Sequence, residues 1–458
     1  MESDARKIPP PPETTAAGTP TPGEAEPSGL SFDGFKAVLA NRNFRMLFWG
    51  QAVSALGDWV GTLAFIAAAD QLSGGNAFAI TGVLVLRLVP TLFATPIGGV
   101  VADRFDRKRI MIGSDLARFV VILATPFVPN LVALYVFAFV HECFSLVFLP
   151  ARDASVPNLV PPDRLEPANA LVMGSSFAGI PLSGPVYGAM AAIALHFPRS
   201  IPTEHRWHEH PWGLAFVFDA FTFLLSAWFI MRVVLPAREH REGEVAERFG
   251  AMLRSGIRYV RAKPILIGLS FAVSLGLLGG GVLFAKGISY VKETLGGNDV
   301  AFGYLMGIFG GGMVLGFVGS QFHTQRGAMW VLRGALVAMG GVLITMALLP
   351  VLWIAYLMAA VFGLTFALAI IIGMTQAQLL TTDEMRGRVM AIVHILVRLA
   401  LLVGAVMAAG VGAIFDKGLR IPFLNYRADS NQVALAIAGV LIAAGVVGVR
   451  GKRDPIER

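Results

Sequence analysis

Ionisable side chains stand inside long apolar runs of this sequence. Asp58, Arg87, Glu142 and Arg398 each lie near the middle of such a run. A charge at the centre of a bilayer costs about 2.5–3.5 kcal/mol on insertion scales, so each of these groups requires a partner or a function. A carboxyl group in this setting can carry a proton, because burial raises its affinity for a proton and a neighbouring arginine lowers it.

Other charges within the runs have a structural interpretation. Asp115 and Arg118 are three residues apart, a spacing that predicts a local pair on one helix face. Asp219, in the sixth run, is likewise interpreted as a structural residue. Arg398 has no acid in its own neighbourhood, since positions 300–382 and 385–415 hold neither Asp nor Glu. It could face a substrate anion, a lipid headgroup, an acid from the other half, or backbone carbonyls.

A group of charges follows the second apolar run, where segment 98–109 reads GGVVADRFDRKR. Its two glycines permit close helix contact. Asp103 can accept hydrogen bonds from a helix N-terminus or pair with Arg107. A basic loop that only sets membrane orientation would account for the cations, but not for the glycines and the acid. The pattern therefore predicts a conformational latch formed by Gly99, Asp103, Arg104, Arg107 and Lys108.

Several classes of function are excluded by what the sequence lacks. It has no catalytic triad, no phosphate-binding Gly-rich loop ending in Lys-Ser/Thr and no zinc-protease motif, so an enzyme is not predicted. The single cysteine and the scattered histidines of the runs predict no metal site and no cofactor. The net charge of +7 comes from residues in loops between apolar runs, so nucleic-acid binding is not predicted either.

The composition places the chain in a membrane. Of its 458 residues, 55% are hydrophobic and 15% are charged, against about 25% charged in soluble proteins. A run of about 20 apolar residues spans a bilayer as a helix, which satisfies its own backbone hydrogen bonds. The runs predict an all-α integral membrane protein of twelve transmembrane helices, at 44–69, 77–102, 109–128, 131–150, 168–196, 212–235, 264–290, 300–322, 328–349, 351–380, 388–415 and 431–450.

Lysine and arginine set the predicted orientation, because loops rich in these residues stay in the cytoplasm. With the N-terminus inside, the inner segments hold 27 of them and the outer loops hold 6. Both termini are therefore expected to be cytoplasmic. The Pro-rich tail of residues 1–40 is expected to be disordered, and residues 451–458 form a second tail.

The two halves of the sequence resemble one another. LVPPDRL at 159–165 precedes the fifth run, and LLTTDEM at 379–385 precedes the eleventh. The charged segment 236–263 divides the runs six and six, and its part near Phe249–Val260 is expected to be helical. These patterns predict two pseudo-symmetric six-helix bundles, 41–235 and 264–450, joined by a cytoplasmic linker. Such repeats are typical of secondary transporters, whose site lies between the halves.

Segment 98–109 resembles the signature loop of the major facilitator superfamily, Gly-x-x-x-Asp-Arg/Lys-x-Gly-Arg-Lys/Arg, except that Asp106 stands where the pattern has glycine. This variant resembles the branch that contains macrolide-efflux proteins and the enterobactin exporter. Asn43-Phe44-Arg45, Arg87-Leu88-Val89-Pro90 and Arg386-Gly387-Arg388-Val389 agree with it. The resemblance covers about residues 41–450.

The resemblance implies alternating access and proton-driven export of drugs or siderophores, with the first, fourth, seventh and tenth helices lining the cavity. Asp58 and Glu142 are then the candidate proton carriers, with Arg87 as the cation that changes their proton affinity. A static ion pair that stabilises the first bundle is the alternative. Gly184, Pro185 and Gly188 resemble the Gly-Pro-x-x-Gly motif of facilitator antiporters, although an ordinary proline kink would give the same residues.

Large apolar side chains complete the expected site. An aromatic wall suits an amphipathic ligand, but it equally suits helix packing and lipid contact. The cavity candidates are Trp59, Phe144, Phe284, Trp353, Phe366 and Arg398.

We therefore predict a proton-coupled exporter of lipophilic or amphipathic small molecules. The alternatives are a transporter of one metabolite, such as a siderophore or lysophospholipid, and a non-transporting membrane receptor or assembly factor. The expected partners are membrane lipid, a small-molecule substrate and protons. The expected location is the bacterial inner membrane, and the expected state is a monomer that uses a proton gradient and no cofactor.

Overall fold

The computed structural model describes residues 32–88, 90, 105–161, 164–196, 210–235, 249–320, 327–421 and 426–446. Helices make up most of these ranges. They are α1 Phe32–Ala40, α2 Arg42–Ser73, α3 Ala77–Leu88, α4 Arg107–Ala124, α5 Leu131–Ser155, α6 Leu165–Leu195, α7 Gly213–Met231, α8 Phe249–Ala262, α9 Pro264–Ser289, α10 Asp299–Gly319, α11 Ala328–Leu348, α12 Leu352–Leu379, α13 Asp383–Ile414 and α14 Ser430–Gly445.

Ten helices in the described part of the chain are long and apolar enough to cross a membrane, namely α2, α4–α7 and α9–α13. The shorter apolar helices α3 and α14 lie in the expected second and twelfth runs. These runs are described only as far as residues 90 and 446, so the total of twelve stays a prediction.

Two expectations about local structure need correction. The fold is nearly all-helical rather than all-α, because strands Leu419–Ile421 and Tyr426–Ala428 form a short antiparallel hairpin between α13 and α14. Residues 32–40, expected in the disordered tail, form α1. Val38 of this helix is buried at 1% exposure, and the adjoining Asn41 donates from Nδ2 to the Leu159 carbonyl at 2.7 Å. The helix expected near Phe249–Val260 is confirmed as α8.

Capping residues explain where α2, the central helix of the first half, begins and ends. The Asn41 side chain accepts hydrogen bonds from the backbone N–H groups of Asn43 and Phe44, at 2.9 and 3.2 Å. At the other end Gly74 adopts a φ of 65°, a left-handed conformation that glycine takes without strain. Asp58 therefore lies at the middle of a continuous 32-residue helix.

Helix contacts form two groups that meet along α6 and α10. Helix α2 packs on α6 and α7, and α4 packs on α5 and α7; in the second half α9 packs on α13, and α12 packs on α10 and α11. Between the groups, a Cβ added at Gly303 would lie 2.5 Å from Gly188 Cα, and one added at Gly307 would lie 2.5 Å from Pro185 Cδ. The backbones of α6 and α10 are therefore in direct contact, as small residues allow in lipid.

The contact between α6 and α10 predicts a steric effect at Gly303 and Gly307 of α10. Gly303→Ala and Gly307→Ala are each expected to lower stability by about 1–3 kcal/mol, because the added methyl group overpacks the interface. Gly311→Ala is the matched control, since a Cβ there has nothing within 4 Å. Thermal unfolding of the three variants in detergent measures the difference. Equal melting temperatures for Gly307→Ala and Gly311→Ala would show that the two helices do not pack in this way.

Candidate functional site

A cavity of about 310 Å³ lies between the two helix groups. Helices α2 to α6 contribute most of its wall, and α9 and α13 contribute Gly281, Phe284, Arg398 and Leu401. Its charged lining residues are Asp58, Arg87, Arg118, Glu142 and Arg398. The cavity thus brings together residues that lie between positions 51 and 401 of the sequence. The three proton-coupling candidates, Asp58, Arg87 and Glu142, all lie on the part of its wall that the first-half helices form.

Asp58 lies at the centre of a charged cluster. Its carboxylate is 3.6 Å from Arg118 Nη1, 3.3 Å from His141 Nε2 and 3.9 Å from Arg87 Nη2. The Asp58 side chain keeps 29% of its surface exposed, whereas the Arg118 side chain is 3% exposed and the His141 side chain is fully buried. The cavity therefore reaches the carboxylate while the protein surrounds its basic partners.

Arg118 connects this cluster to a second acid. The pair with Asp115 expected from their spacing is confirmed, and Ser226 Oγ donates to the other Asp115 oxygen at 2.7 Å. The Arg118 guanidinium also lies 4.5 Å from the ring of Phe148 and 4.3 Å from that of Phe223, distances typical of cation–π contacts. Arg118 is thus part of the Asp58 site and has more than the structural role expected for it.

Two charged residues of the cavity have no direct partner. Glu142 and Arg398 make no hydrogen bond or ion pair with any residue in the described ranges. Their charges nevertheless interact across the cavity, and Glu142 also experiences those of Arg87 and Asp58. Arg398 thus lines the cavity, and which of its four expected surroundings it meets stays a prediction.

Asp219 lies behind α2 and does not line the cavity. Its side chain is fully buried against Gly57 and Gly61 of α2, where a Cβ on Gly57 would lie 2.5 Å from Asp219 Oδ1. Neither carboxyl oxygen has a hydrogen-bond partner among the described residues. The two glycines of α2 make room for this acid.

The aromatic candidates divide into two sets. Trp59 and Phe284 line the cavity, and Trp59 Nε1 is fixed by a 3.0 Å hydrogen bond to the Ser176 carbonyl. Phe144, Trp353 and Phe366 are not among its described lining residues. Trp353 is 66% exposed, and Phe366 packs in the second half with its ring 5.7 Å from that of Phe309. The expected place of these three residues in the substrate cavity therefore stays a prediction.

The loop candidates are only partly described. Gly99, Asp103 and Arg104 lie outside the described residues. Arg107 Nη1 donates to the Ala154 carbonyl of α5 at 2.6 Å, and Lys108 is half-buried on the first turn of α4. Asp106, which stands where the family pattern has glycine, is the N-cap of α4. Its side chain accepts a hydrogen bond from the Arg109 N–H at 2.8 Å and so stabilises the start of this helix.

His141 is a site residue that the sequence analysis did not select. It neighbours Glu142 on α5, but adjacent residues of a helix point in different directions. His141 Nε2 faces Asp58, and its ring lies 5.5 Å from that of Phe223. Its position in the middle of an apolar run was the available signal, as it was for Glu142.

A second group of polar contacts joins the two halves at the ends of α2 and α9 that lie away from α1 and α8. Lys292 Nζ is 3.2 Å from Asp70 Oδ2 and 3.2 Å from Asp299 Oδ2. Tyr187 OH donates to Asp299 Oδ1 at 2.9 Å, and Ser289 Oγ donates to Asp70 Oδ1 at 3.2 Å. We call these five residues the distal cluster. At 1.5 Å per residue, it lies roughly 18 Å along α2 from Asp58.

Sequence and structure comparisons place this arrangement in a known family. The profile described as Major Facilitator Superfamily matches residues 47–405. The chain belongs to this superfamily. It is 24% identical to Enterobactin exporter EntS of Shigella boydii over 373 residues, which cover 78% of this chain and 81% of that protein. It is 31% identical to Macrolide efflux protein A of Streptococcus pyogenes, over 27% of this chain and 31% of that protein.

A solved structure supports the fold. The crystal structure of a bacterial homolog to the human lysosomal transporter Spinster superposes with a TM-score of 0.67 and 17% identity, covering 92% of this chain and 95% of that chain. The sequence similarity to EntS and to Macrolide efflux protein A confirms the resemblance to the macrolide-efflux and enterobactin-exporter branch. The protein is a membrane transporter of the major facilitator type, and this family assignment indicates a non-enzymatic role.

The position of Arg118 generates a stability prediction. Arg118→Met leaves the buried Asp115 without its ionic partner, so we expect it to lower stability by about 3–5 kcal/mol. Adding Asp115→Asn should recover much of that loss, because the remaining amide is neutral. Thermal unfolding of the single and double variants tests this. An Arg118→Met protein as stable as the parent would show that Asp115 does not depend on Arg118.

Proposed function

We propose that this transporter is a proton-coupled exporter of lipophilic or amphipathic small molecules that works by alternating access. The observation that carries the proposal is the placement of two carboxyl groups, Asp58 and Glu142, on the wall of one cavity between the helix groups, beside Arg87 and Arg118. Export as the direction is supported by the similarity to Enterobactin exporter EntS and Macrolide efflux protein A. Twelve helices with cytoplasmic termini, a monomeric state and a bacterial inner-membrane location belong to the same proposal.

The geometry supports a charge-exchange mechanism at Asp58. While ionised, its carboxylate attracts Arg87 and Arg118 from α3 and α4. A proton bound at Asp58 removes that attraction. Arg118 then keeps Asp115 as its acidic partner. Glu142 is the other acid of the described cavity wall, and Arg87 can move towards it. Because Arg87 lies at 3.9 Å, the longest of the three contacts, it is the cation that we expect to move. The proton affinity of Glu142 then depends on whether Asp58 is protonated, because the charge of Arg87 acts on both acids.

The proton-carrier assignment is tested by neutral substitutions. Asp58→Asn and Glu142→Gln are each expected to reduce proton-driven transport to the level of protein-free liposomes, because neither amide binds a proton, while the proteins remain folded. A substrate is first found by accumulation assays in cells that lack their own pumps. Its uptake into proteoliposomes under an imposed pH gradient is then measured.

The control for this experiment is Asp416→Asn, which changes an exposed acid in the turn after α13 and should leave transport unaltered. If Asp58→Asn and Glu142→Gln both transport at the parent rate, the two carboxyl groups are not the carriers.

Alternating access requires a gate at each end of the cavity, and the distal cluster is our proposed gate at one end, supported by its ion pairs between the two halves. Lys292→Met leaves Asp70 and Asp299 facing each other without a cation, so the helix ends should separate. Thr62→Cys places a reactive thiol in the cavity. We expect this thiol to react with an impermeant maleimide added outside cells roughly fivefold faster in Lys292→Met than in the parent, a change of about 1 kcal/mol.

The single native cysteine is removed from all of these proteins as Cys143→Ser. Lys417→Met, at an exposed lysine after α13, is the control, and unchanged labelling in Lys292→Met would rule out the gate.

A further inference from the structure

The cavity presents an unpartnered acid from one helix group and an unpartnered base from the other. Glu142 belongs to α5 and Arg398 belongs to α13. Both line the cavity, and neither is bonded to another residue in the described part of the chain. Only 9% of Glu142 is exposed. A buried charge without a direct partner is costly, so a ligand that supplies the missing partners would be stabilised at this place.

The remaining charges of the cavity neutralise one another and are not available in the same way. Asp58 faces Arg87, Arg118 and His141. Arg118 also holds Asp115. After these contacts are made, one negative group and one positive group are left, on opposite sides of the cavity. The second half offers no acid of its own near Arg398, since positions 300–382 and 385–415 hold no Asp or Glu.

Apolar side chains cover much of the wall between these two charges. They include Trp59, Leu84, Phe148, Phe284 and Leu401. Such a wall favours a ligand with an apolar body, and the two charges fix its orientation. A ligand with one charge would leave either Glu142 or Arg398 unmatched, whereas a ligand with an ammonium and an acid group matches both.

We propose that the cavity binds an amphipathic zwitterion, with its cationic group at Glu142 and its anionic group at Arg398. This inference rests on the proposed transport function and names the substrate class of that site. The bound ligand contacts both helix groups, so it joins them across the cavity. A proton that binds Glu142 removes the partner of the cationic group, which links proton binding to release of the ligand.

The test uses four dipeptides that differ only in their terminal charges. They are Phe-Phe with free termini, its N-acetyl form, its C-terminal amide and the form blocked at both ends. Binding to the full-length protein in lipid nanodiscs is measured by isothermal titration calorimetry at one pH and without a gradient. We expect the free dipeptide to bind most tightly and each single block to weaken binding by about tenfold or more, the effect of losing one charged hydrogen bond.

Two variants assign each charge of the ligand to its residue. Glu142→Gln should remove the preference for a free amino terminus and keep the preference for a free carboxyl terminus, and Arg398→Gln should do the reverse. Asp416→Asn, a change at an exposed acid after α13 and away from the cavity lining, should leave the four affinities unchanged. A general loss of folding would alter all four affinities together, so the selective pattern separates recognition from damage.

Three results would overturn the inference. They are equal affinities for the four dipeptides, absence of binding by all of them, and a preference for free termini that neither variant changes. Proton-driven transport is measured separately in proteoliposomes. A protein that transports a lipophilic compound but shows one of these three results keeps the proposed function and loses the zwitterion.

Discussion

Neutralisation of charge within the membrane is the constraint on which the rest of the structure depends. Asp58 can lie at the middle of α2 because α3, α4 and α5 each bring a basic group to it. Arg118 is held in turn by Asp115 and by two aromatic rings. Without Arg118, the buried Asp115 loses its ionic partner and Asp58 loses one of its three basic neighbours. The cluster therefore sets how the first-half helices are arranged.

The two halves are joined by contacts of a different kind. Along α6 and α10 the glycines bring backbone against backbone, so few side chains interlock there. The distal cluster adds polar bonds at one end of this contact, roughly 18 Å from Asp58 along α2. Between these contacts the cavity remains open at the level of Asp58 and Glu142. A smooth contact surface with polar bonds at its end is suited to relative movement of the halves.

The halves contribute unequally to the cavity. The first half supplies Asp58, Arg87, Arg118 and Glu142, and the second half supplies Arg398 as its charged lining residue in the described ranges. The acids of the described cavity lining therefore belong to the first half, and Glu142 interacts electrostatically with Arg398 of the second half. A ligand held between Glu142 and Arg398 would contact both halves at once.

The sequence by itself determined the membrane class, the placement of the ten long helices, the family resemblance and the choice of Asp58, Glu142 and Arg87 as candidates for proton coupling. These depend on hydropathy, short motifs and the cost of isolated charges, all of which are local properties. The cavity positions of Trp59 and Phe284 were also expected, whereas Phe144, Trp353 and Phe366 are not among the described lining residues. In a membrane helix the lipid-facing and protein-facing sides are both apolar, so hydropathy does not distinguish them. Only the tertiary structure decided that His141 and Arg118 join Asp58, and that Lys292 reaches Asp70 across 222 positions of sequence, because these contacts arise from the packing of helices and not from their individual sequences.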